Sequence, residues 1–205
     1  PLIHYSIDTA FKSKCFEKVI FSSDSHKYIN IALKKNNDLE IHKRGKKISS
    51  STASEFSVFF DYIMTQKKYL PLFFAHLRPT NPIRNVTIIR NVLKKFKEID
   101  KNYSSIRTIS EMANPTFRSC ILKNNRICSV IKNDFNMEKY WKPRQLFKKT
   151  YFPSCTIDIY KTKNILKNKS LWGNKIYGYI DKDLTVDIDT LEDFKYAEFI
   201  LKNRK

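Results

Sequence analysis

The pattern of apolar and polar positions near the C-terminus predicts a strand followed directly by a helix. Leu184, Val186 and Ile188 alternate with polar residues, which is the period of a strand with one apolar face. Thr190 then fits the N-cap of a helix, and apolar residues recur at helical spacing over 191–201. This segment therefore predicts a strand that ends beside the start of a helix, with the helix packed against a sheet.

The same patterns predict helices and strands in alternation along the rest of the chain. Expected helices cover 2–11, 26–35, the segment after the polar loop 49–54, 86–96 and a short turn around Ile165. Expected strands cover 16–22, 39–42, 70–77, 105–109, 156–160 and 176–180. Residues 111–150 are less regular, and we interpret them as an insertion or dimerisation subdomain within one domain that spans 1–205.

Strands that alternate with helices are typical of an α/β fold in which helices cover both faces of a largely parallel sheet. Ligands of such sheets bind beyond the carboxyl ends of the strands. We therefore expect the loops after Phe21 and Leu77 and the segment at Asp187 to share one mouth. Such folds normally begin with a strand, whereas this chain begins on a helix, so we also expect an exposed sheet edge or a central gap.

Composition narrows the class of protein. A chain with 41% hydrophobic and 14% aromatic residues has the content of a folded globule. No apolar run reaches the roughly 18 residues of a membrane span, and no secretory segment opens the chain. The four cysteines lack C-x-x-C spacing, which predicts reduced thiols and a cytoplasmic location rather than a disulfide frame or a zinc site.

The formal net charge of +19 bears on the choice of partner. Lys and Arg neutralise phosphates, so one interpretation is a nucleic-acid-binding module. The lysines are spread along the whole chain instead of being concentrated on one element with stacking aromatics. This distribution favours a small anionic ligand and argues against nucleic acid.

Asp187 and Asp189 are the candidate metal ligands. At positions i and i+2 of a strand, both carboxylates project from the same face. Hard oxygen ligands of this kind suit Mg²⁺. The alternative is a solvated turn whose acids only cap the helix that follows.

The sequence contains no glycine-rich loop of the kind that binds phosphate. The only glycines are Gly45, Gly173 and Gly178, and none opens a helix after a strand. Phosphate would then be bound by other means, or by residues upstream of Pro1.

Four stretches, in this order, resemble motifs of the acylneuraminate cytidylyltransferase family, the CMP-sialic acid synthetases and their relatives. They are PLIHYS at 1–6 with VIFSSD at 19–24, LRPTNPIR at 77–84, Arg144-Gln145 with YFPSCTIDI at 151–159, and VDIDTLEDF at 186–194. Each motif is weak alone, but four in register over nearly the whole chain are specific.

The resemblance implies a three-layer, Rossmann-like α/β fold of the nucleotide-diphospho-sugar transferase type, with a mostly parallel sheet and a small insertion subdomain. It implies an enzyme that joins CTP to an acidic keto-sugar, sialic acid or a related acid, and releases pyrophosphate. The sugar's own hydroxyl attacks the α-phosphate, so no covalent nucleophile is expected. The family resemblance also implies a homodimer.

The resemblance further implies roles for individual residues. Asp187 and Asp189 match the positions that hold Mg²⁺ in the family. The positions that match its nucleotide-binding loop are Arg44, Thr52 and Ser54. The positions that match its substrate-binding residues are Arg78, Thr80, Arg144, Gln145 and Ser154, with Arg144 reaching across a dimer interface to the sugar carboxylate. For the three arginines, the alternative is a place in a solvated basic run or a turn.

The sequence also departs from the family pattern. The N-terminal loop that binds the CTP phosphates is absent, and Cys155 replaces a glycine of the sugar-binding segment. Asp158 stands where sialic-acid enzymes often carry tyrosine, which leaves the sugar open. Three hypotheses follow: a CMP-sugar synthetase, a non-catalytic remnant that keeps the fold, and a basic nucleic-acid-binding module.

Overall fold

The computed structural model describes residues 1–66, 69–130, 136–183 and 185–203, and helices and strands alternate along them as predicted. The helices are α1 (Leu2–Ser13), α2 (His26–Leu33), α3 (Glu55–Thr65), α4 (Val86–Ile99), α5 (Met137–Tyr140), α6 (Thr162–Asn168) and α7 (Leu191–Asn203). The strands are β1 (Ile20–Ser23), β2 (Glu40–Lys43), β3 (Phe73–His76), β4 (Ser105–Glu111), β5 (Cys120–Lys123), β6 (Arg126–Ser129), β7 (Tyr151–Lys161) and β8 (Ile176–Ile180).

The central strands form two separate sheets. In the first, β1 pairs with β2 in parallel. The second has the order β3-β7-β4-β8, in which β4 and β8 are parallel and β7 is antiparallel to both of its neighbours. Three of its four strands therefore share one direction. The expectation of a parallel strand over 70–77 is wrong in its pairing, because β3 lies at the edge of this sheet against the reversed β7.

A cleft separates the two sheets. Within the described chain, β1 and β3 have no hydrogen-bonded sheet neighbour on the sides that face each other. The space between them, here called the β1/β3 cleft, has a volume of about 460 Å³ and is lined by Ile20–Ser22, by Phe73–His76 and by apolar side chains of α1 and α3. The sequence-based expectation of a central gap is therefore met by this cleft.

Helices cover both faces of the four-stranded sheet, which gives the predicted three layers. One apolar side of α4 packs on Ile106, Ile157 and Ile159. On the opposite face, α3 and α6 pack on Phe74 and Tyr160. Successive residues of β7 point to opposite faces, so this one strand anchors both cores.

The strand predicted over 184–188 does not form in its described part. Leu184 lies outside the described residues, and 185–190 does not pair with any described strand. Its apolar residue Val186 is nevertheless buried, against Ile83 and Ala197. The segment is therefore held by side-chain packing and by one backbone hydrogen bond, from Ile188 to Thr80, instead of by the repeated backbone hydrogen bonds of a β-sheet. The predicted helix start is confirmed, because Thr190 and Asp193 cap each other reciprocally.

The irregular segment 111–150 contains short elements. β5 and β6 form a hairpin whose two turn residues, Asn124 and Asn125, have φ of 46° and 63°. Two consecutive left-handed residues are the requirement of a type I′ turn, and Asn tolerates that conformation. Its apolar residues Ile121, Leu122 and Ile127 are exposed. Across the parts of the chain that the structure describes, no helix is both long and apolar enough to cross a membrane.

Candidate functional site

Loops from distant parts of the chain meet beyond the carboxyl end of β3. Arg78, two residues after β3, donates to the carboxylate of Glu55 at the start of α3. Ile188 donates its backbone N–H to the carbonyl of Thr80, which brings the acidic segment 185–190 to the same loop. The prediction that the loop after Leu77 and the segment at Asp187 lie together is confirmed by this contact, although 185–190 is not a strand; no hydrogen bond or ion pair among the described residues joins the loop after Phe21 to them.

The buried residue Arg84 fixes the loop after β3. Its guanidinium donates to the backbone carbonyls of Thr156, Arg78 (2.9 Å) and Cys155 (3.3 Å) and to the hydroxyl of Ser6 (3.0 Å). All four acceptors are uncharged. Burial, and then the charge of Arg78, lower the pKa of Arg84 to about 10. This residue therefore joins α1, the loop and β7 at one point.

Arg78 is the centre of a partly buried ion-pair network. One nitrogen lies 2.6 Å from Asp158, whose side chain is fully buried, and another lies 2.6 Å from Glu55, whose side chain is 43% exposed. Arg107 adds a second positive charge 3.8 Å from the other Asp158 oxygen. Two guanidinium groups and two carboxylates thus balance each other. Removing these charges from water costs free energy, which their mutual attraction and hydrogen bonds offset.

Two opposing effects set the protonation of this network. Burial disfavours the charged form of each group, and the ion pair favours it. Burial raises the pKa of Asp158, and the hydrogen bond and charge of Arg78 oppose that rise. Burial lowers the pKa of Arg78, but the bond to Asp158 outweighs it, so the pKa of Arg78 is raised. We describe both groups as ionised, because a 2.6 Å contact between a guanidinium nitrogen and a carboxylate oxygen is a charge-assisted hydrogen bond.

His76 makes the stability of this region depend on pH. Burial, and then the charge of Arg78, lower the pKa of His76 from 6.5 to about 4, against the opposite effect of Glu55. In the unfolded chain the imidazole takes up its proton first, so the free energy of unfolding should fall as pH drops from about 6.5 towards 4. Between pH 7 and pH 5 we expect a loss of about 1–2 kcal/mol from this group.

Urea unfolding of the parent chain and of His76→Gln at both pH values measures that loss. The variant should lose less stability on acidification, by about the same 1–2 kcal/mol. His26→Gln, at an exposed histidine, is the matched control and should behave as the parent does. Equal losses in the parent chain and in His76→Gln would contradict the assignment.

Asp187 and Asp189 lie on the segment next to Thr80. One Asp187 carboxylate oxygen is buried and has no hydrogen-bond partner among the described residues, while Asp189 is exposed. The chemistry fits Mg²⁺, which is bound by one or two carboxylates and otherwise keeps water and substrate phosphates as ligands. Within the described ranges, no cluster of three or more His, Cys, Asp or Glu side chains could hold a metal ion. The pair would therefore need oxygen atoms from a substrate.

Cys155 adopts the backbone conformation that its glycine counterpart would favour. Its φ is +55°, in the left-handed region. Burial, and then a hydrogen bond with Asp187, raise the pKa of its thiol to about 11. The thiol is therefore protonated at neutral pH and lies beside a candidate metal ligand.

Replacing Cys155 by Gly should raise the free energy of unfolding by about 0.5–1 kcal/mol. Relief of left-handed strain contributes about 1–2 kcal/mol, and the larger entropy of unfolded glycine offsets part of it. Urea unfolding measures the change. Cys128→Gly, in the extended strand β6, is the control and should lower stability by about 0.5–1 kcal/mol. Two losses of the same size would show that the conformation of Cys155 is not strained.

The nucleotide-binding candidates lie along the loop between β2 and α3. Arg44 contacts Asp24 at 3.3 Å, which joins the loops after β2 and β1. Thr52 is exposed, and its hydroxyl lies 3.3 Å from that of Ser50. Ser54 is the N-cap of α3 and accepts from the N–H of Ser57. Their nucleotide roles stay predictions.

The substrate-binding candidates divide into three groups. Arg78 and Thr80 lie in the loop at the mouth. Ser154 is buried beneath that loop. Its carbonyl accepts from Asn81 and its hydroxyl is hydrogen-bonded to that of Thr156, so the hydroxyl does not face open solvent. Arg144 and Gln145 are exposed on a short 3-10 helix, and no hydrogen bond or ion pair described for them reaches the mouth. All five roles stay predictions.

Sequence reasoning missed the site residues that act through long-range contacts. Glu55 directly follows the predicted residue Ser54 but belongs to no motif, and Arg84, the last residue of the motif LRPTNPIR, was assigned no role. Asp181, after β8, accepts from Thr156 at 2.6 Å and was not identified. Only Arg84 could have been found from the sequence, because an arginine in a proline-containing loop can donate hydrogen bonds to backbone carbonyls and so fix the loop.

Comparisons with known proteins find similarity to cytidylyltransferases. The model of a family described as cytidylyltransferase matches residues 1–204. The chain is 26% identical over 206 residues to post-translational flagellin modification protein B of Campylobacter coli, covering 99% of this chain and 85% of that protein. It is 29% identical over 208 residues to N-acylneuraminate cytidylyltransferase of Escherichia coli, covering 100% of this chain but 47% of that protein. With pseudaminic acid cytidylyltransferase of Campylobacter jejuni the identity is 27%, over 98% of this chain and 85% of the relative.

Solved structures share the fold. The structure of CMP:2-keto-3-deoxy-manno-octonic acid synthetase complexed with CTP superimposes with a TM-score of 0.68 at 10% identity, covering 100% of this chain and 89% of that one. 4-Diphosphocytidyl-2C-methyl-D-erythritol synthase of Anaerococcus prevotii gives 0.63 at 12% identity, covering 98% and 89%. These neighbours confirm the three-layer, Rossmann-like α/β class predicted from the sequence.

Proposed function

The chain belongs to the cytidylyltransferase family, and on that premise we propose that it activates an acidic keto-sugar with CTP. The products would be the CMP-sugar and pyrophosphate, for surface glycan biosynthesis. The observation that carries the proposal is the family match over 1–204, since relatives named for N-acylneuraminate and pseudaminic acid match nearly the whole chain. The partners would be CTP and a sugar that carries a carboxylate.

In the proposed reaction the protein mainly positions the two substrates and supplies no nucleophile of its own. A hydroxyl of the sugar attacks the α-phosphorus of CTP, the bond to the β-phosphate oxygen breaks, and pyrophosphate leaves with the electron pair. The hydroxyl proton passes to solvent. Arg44 would contact the nucleotide, with Thr52 and Ser54 in the same loop, and the loop after β3 would hold the sugar through Arg78 and Thr80.

Arg78 can serve a substrate carboxylate only by changing partners. Its contact with the buried Asp158 fixes the guanidinium, whereas Glu55 is 43% exposed and can move into solvent. We therefore assign to the sugar carboxylate the position that the Glu55 carboxylate holds, where a guanidinium can donate two hydrogen bonds.

Asp187 and Asp189 would hold Mg²⁺. The supporting observation is the buried Asp187 oxygen that has no partner among the described residues. When bound, the ion would supply charge neutralisation for the triphosphate and the departing pyrophosphate. In this proposal the two side chains present hard oxygen ligands beside the loop that contains Thr80.

A turnover assay tests the proposal. The chain would be incubated with CTP, Mg²⁺ and, separately, sialic, pseudaminic and legionaminic acids, and CMP-sugar and pyrophosphate would be measured together. Equal amounts of both products with one acid support the function. Sugar binding without any product would instead favour the non-catalytic alternative, for which Cys155 at a glycine position is the motivating observation. Binding of DNA or RNA that falls steeply with salt, without sugar binding, would favour the nucleic-acid module.

We also propose a homodimer in which Arg144 of one copy serves the sugar of the other. The exposed apolar residues of the β5–β6 hairpin support an interface there. Arg144→Ala should then raise the KM for the sugar about tenfold, the equivalent of one lost charge-assisted hydrogen bond, and leave the KM for CTP nearly unchanged. Steady-state kinetics measure both values. Lys142→Ala, at a nearby exposed lysine, is the control, and an equal rise of both KM values would contradict the sugar role.

A further inference from the structure

Glu55 covers one edge of the Arg78 guanidinium, and it does so with a single oxygen. The Nε and Nη2 groups of Arg78 both donate to Oε1 of Glu55, at 3.1 Å and 2.6 Å. Within the described residues, no hydrogen bond reaches the second oxygen, Oε2. The remaining nitrogen of the guanidinium, Nη1, donates to Asp158. The edge formed by Nε and Nη2 is therefore held by Glu55 alone.

This contact uses less than the full hydrogen-bonding capacity of that edge. One N–H of Nε and one of Nη2 point in the same direction, so a carboxylate that presents both of its oxygens accepts two separate hydrogen bonds there. One oxygen that accepts from both donors cannot be aligned with both. A carboxylate on a small molecule is not tethered to a helix and can take the two-oxygen geometry. It is therefore a better partner for this edge than Glu55 is.

The two carboxylates that hold Arg78 differ in how easily they can leave it. The side chain of Asp158 is fully buried, and an unpaired charge is strongly disfavoured there. Glu55 is the first residue of α3, and 43% of its side chain is exposed. A carboxylate in the first turn of a helix is stabilised by the helix dipole and by water. Glu55 can therefore exchange Arg78 for solvent at small cost, whereas Asp158 cannot.

Two buried nitrogen atoms next to this contact have no hydrogen-bond partner among the described residues. Nδ1 of His76 lies 4.0 Å from Oε1 of Glu55, and Nε of Arg107 lies 3.8 Å from Asp158. Buried polar atoms are hydrogen-bonded in the large majority of cases. Glu55 therefore does not complete the hydrogen bonding of this network, and a ligand that carries several oxygens can supply further partners.

The charges of the network determine what can replace Glu55. Arg78 and Arg107 are balanced by Glu55 and Asp158. When Glu55 moves into solvent, one positive charge is left in excess beside a fully buried carboxylate. A neutral molecule would leave that charge uncompensated, whereas a carboxylate restores the balance.

We propose that Glu55 is an internal placeholder for the carboxylate of the substrate: it is displaced from Arg78 by the acidic sugar and so sets the affinity of the site for that sugar. The proposal rests on the function assigned above, in which Arg78 contacts the sugar. When a ligand must displace an internal competitor, its apparent Kd is its intrinsic Kd divided by the fraction of molecules in which the site is open. For an ion pair with one exposed partner, this factor is about fivefold.

Isothermal titration calorimetry on the 205-residue chain and two variants tests the proposal. The Kd values of sialic, pseudaminic and legionaminic acids would be measured for the parent chain, Glu55→Gln and Glu55→Ala. The alanine variant is needed because the amide oxygen of glutamine can still accept from Arg78. Glu98→Gln, which removes an exposed carboxylate from its ion pair with Lys95 on α4, changes the net charge equally and is the matched control.

Glu55→Ala should bind the preferred acid about fivefold more tightly than the parent chain does, and Glu55→Gln should shift in the same direction. Glu98→Gln should bind as the parent does. Where the chain turns over, the KM for the sugar should fall in both Glu55 variants while the KM for CTP stays unchanged. A gain of affinity separates this role from a structural one, because damage to the fold would weaken binding.

The outcomes separate the placeholder role of Glu55 from the function of the chain. Turnover by the parent with unchanged affinity in both Glu55 variants would overturn the placeholder role and keep the function. Weaker binding by both variants would also overturn it, by making Glu55 a direct ligand of the sugar, and so would an equal gain in Glu98→Gln, which would show a general effect of charge. Binding by the variants alone, with no turnover by the parent, would keep the placeholder role and overturn the function. Absence of binding by all the chains would overturn both.

Discussion

Replacing Asp187 by Asn is expected to lower the rate of CMP-sugar formation by about a hundredfold or more while leaving Tm nearly unchanged. The carboxamide keeps the shape of the side chain but removes the charge that holds a divalent cation, and losses of electrostatic stabilisation at a transition state have this size. Asp189→Asn should act in the same direction. Rate against Mg²⁺ concentration, measured for both variants, checks the expectation.

A control variant and a measurement of metal binding show whether a lower rate is caused by loss of the metal. Asp38→Asn, at an exposed carboxylate in the turn before β2, should retain the rate of the parent chain. Mn²⁺ suits the same oxygen ligands, so its binding can be followed by electron paramagnetic resonance without turnover. Unchanged rates and unchanged Mn²⁺ binding in both variants would remove these two residues from the metal site.

Replacing Arg84 by Met should lower the free energy of unfolding by about 3 kcal/mol or more. Methionine retains much of the volume but leaves the carbonyls of Thr156, Arg78 and Cys155 without their donor. A buried acceptor that loses its partner costs about 1–3 kcal/mol. Removing a buried charge returns part of that cost, since burial lowers the pKa of Arg84 to about 10. Losses at several acceptors exceed this gain.

Urea unfolding monitored by circular dichroism measures the Arg84 effect. Arg90→Met is the matched control, because Arg90 also donates to two backbone carbonyls, those of Ser13 and Lys12, from an exposed position on α4. Its loss should be below about 1 kcal/mol, because water can replace the donor there. A loss at Arg84 no larger than that at Arg90 would mean that the loop after β3 is held by other contacts.

Local patterns were sufficient for most elements. β8 was predicted at its observed bounds, 176–180, and α2 was predicted to begin at residue 26, where it does begin, since periodicity and capping are properties of neighbouring residues. The segment 184–188 shows the limit of such reasoning. The alternation of apolar and polar residues correctly indicates one buried face. A strand also requires a neighbouring strand, and the backbone of this segment instead donates from Ile188 to Thr80 in a loop.

The site was predictable only where a motif marked it. The loop after β3 and the acidic pair were found because each forms a short run of distinctive residues. The partners of Arg78 were not, because Glu55 and Asp158 lie 23 and 80 residues away in sequence. Which carboxylate completes a buried ion pair is decided by tertiary packing, and no local period encodes it.

The place of β7 in the sheet has a consequence for the order of folding. Because β7 lies between β3 and β4, β3 has no partner in the described sheet until residues 151–161 have left the ribosome. β1 and β2 are close in sequence and can pair early, with α2 as their crossover. The core of the second sheet must therefore wait for nearly four-fifths of the chain. During synthesis the apolar side of α4 has no sheet to cover it, which is the condition under which nascent chains aggregate or are held by chaperones.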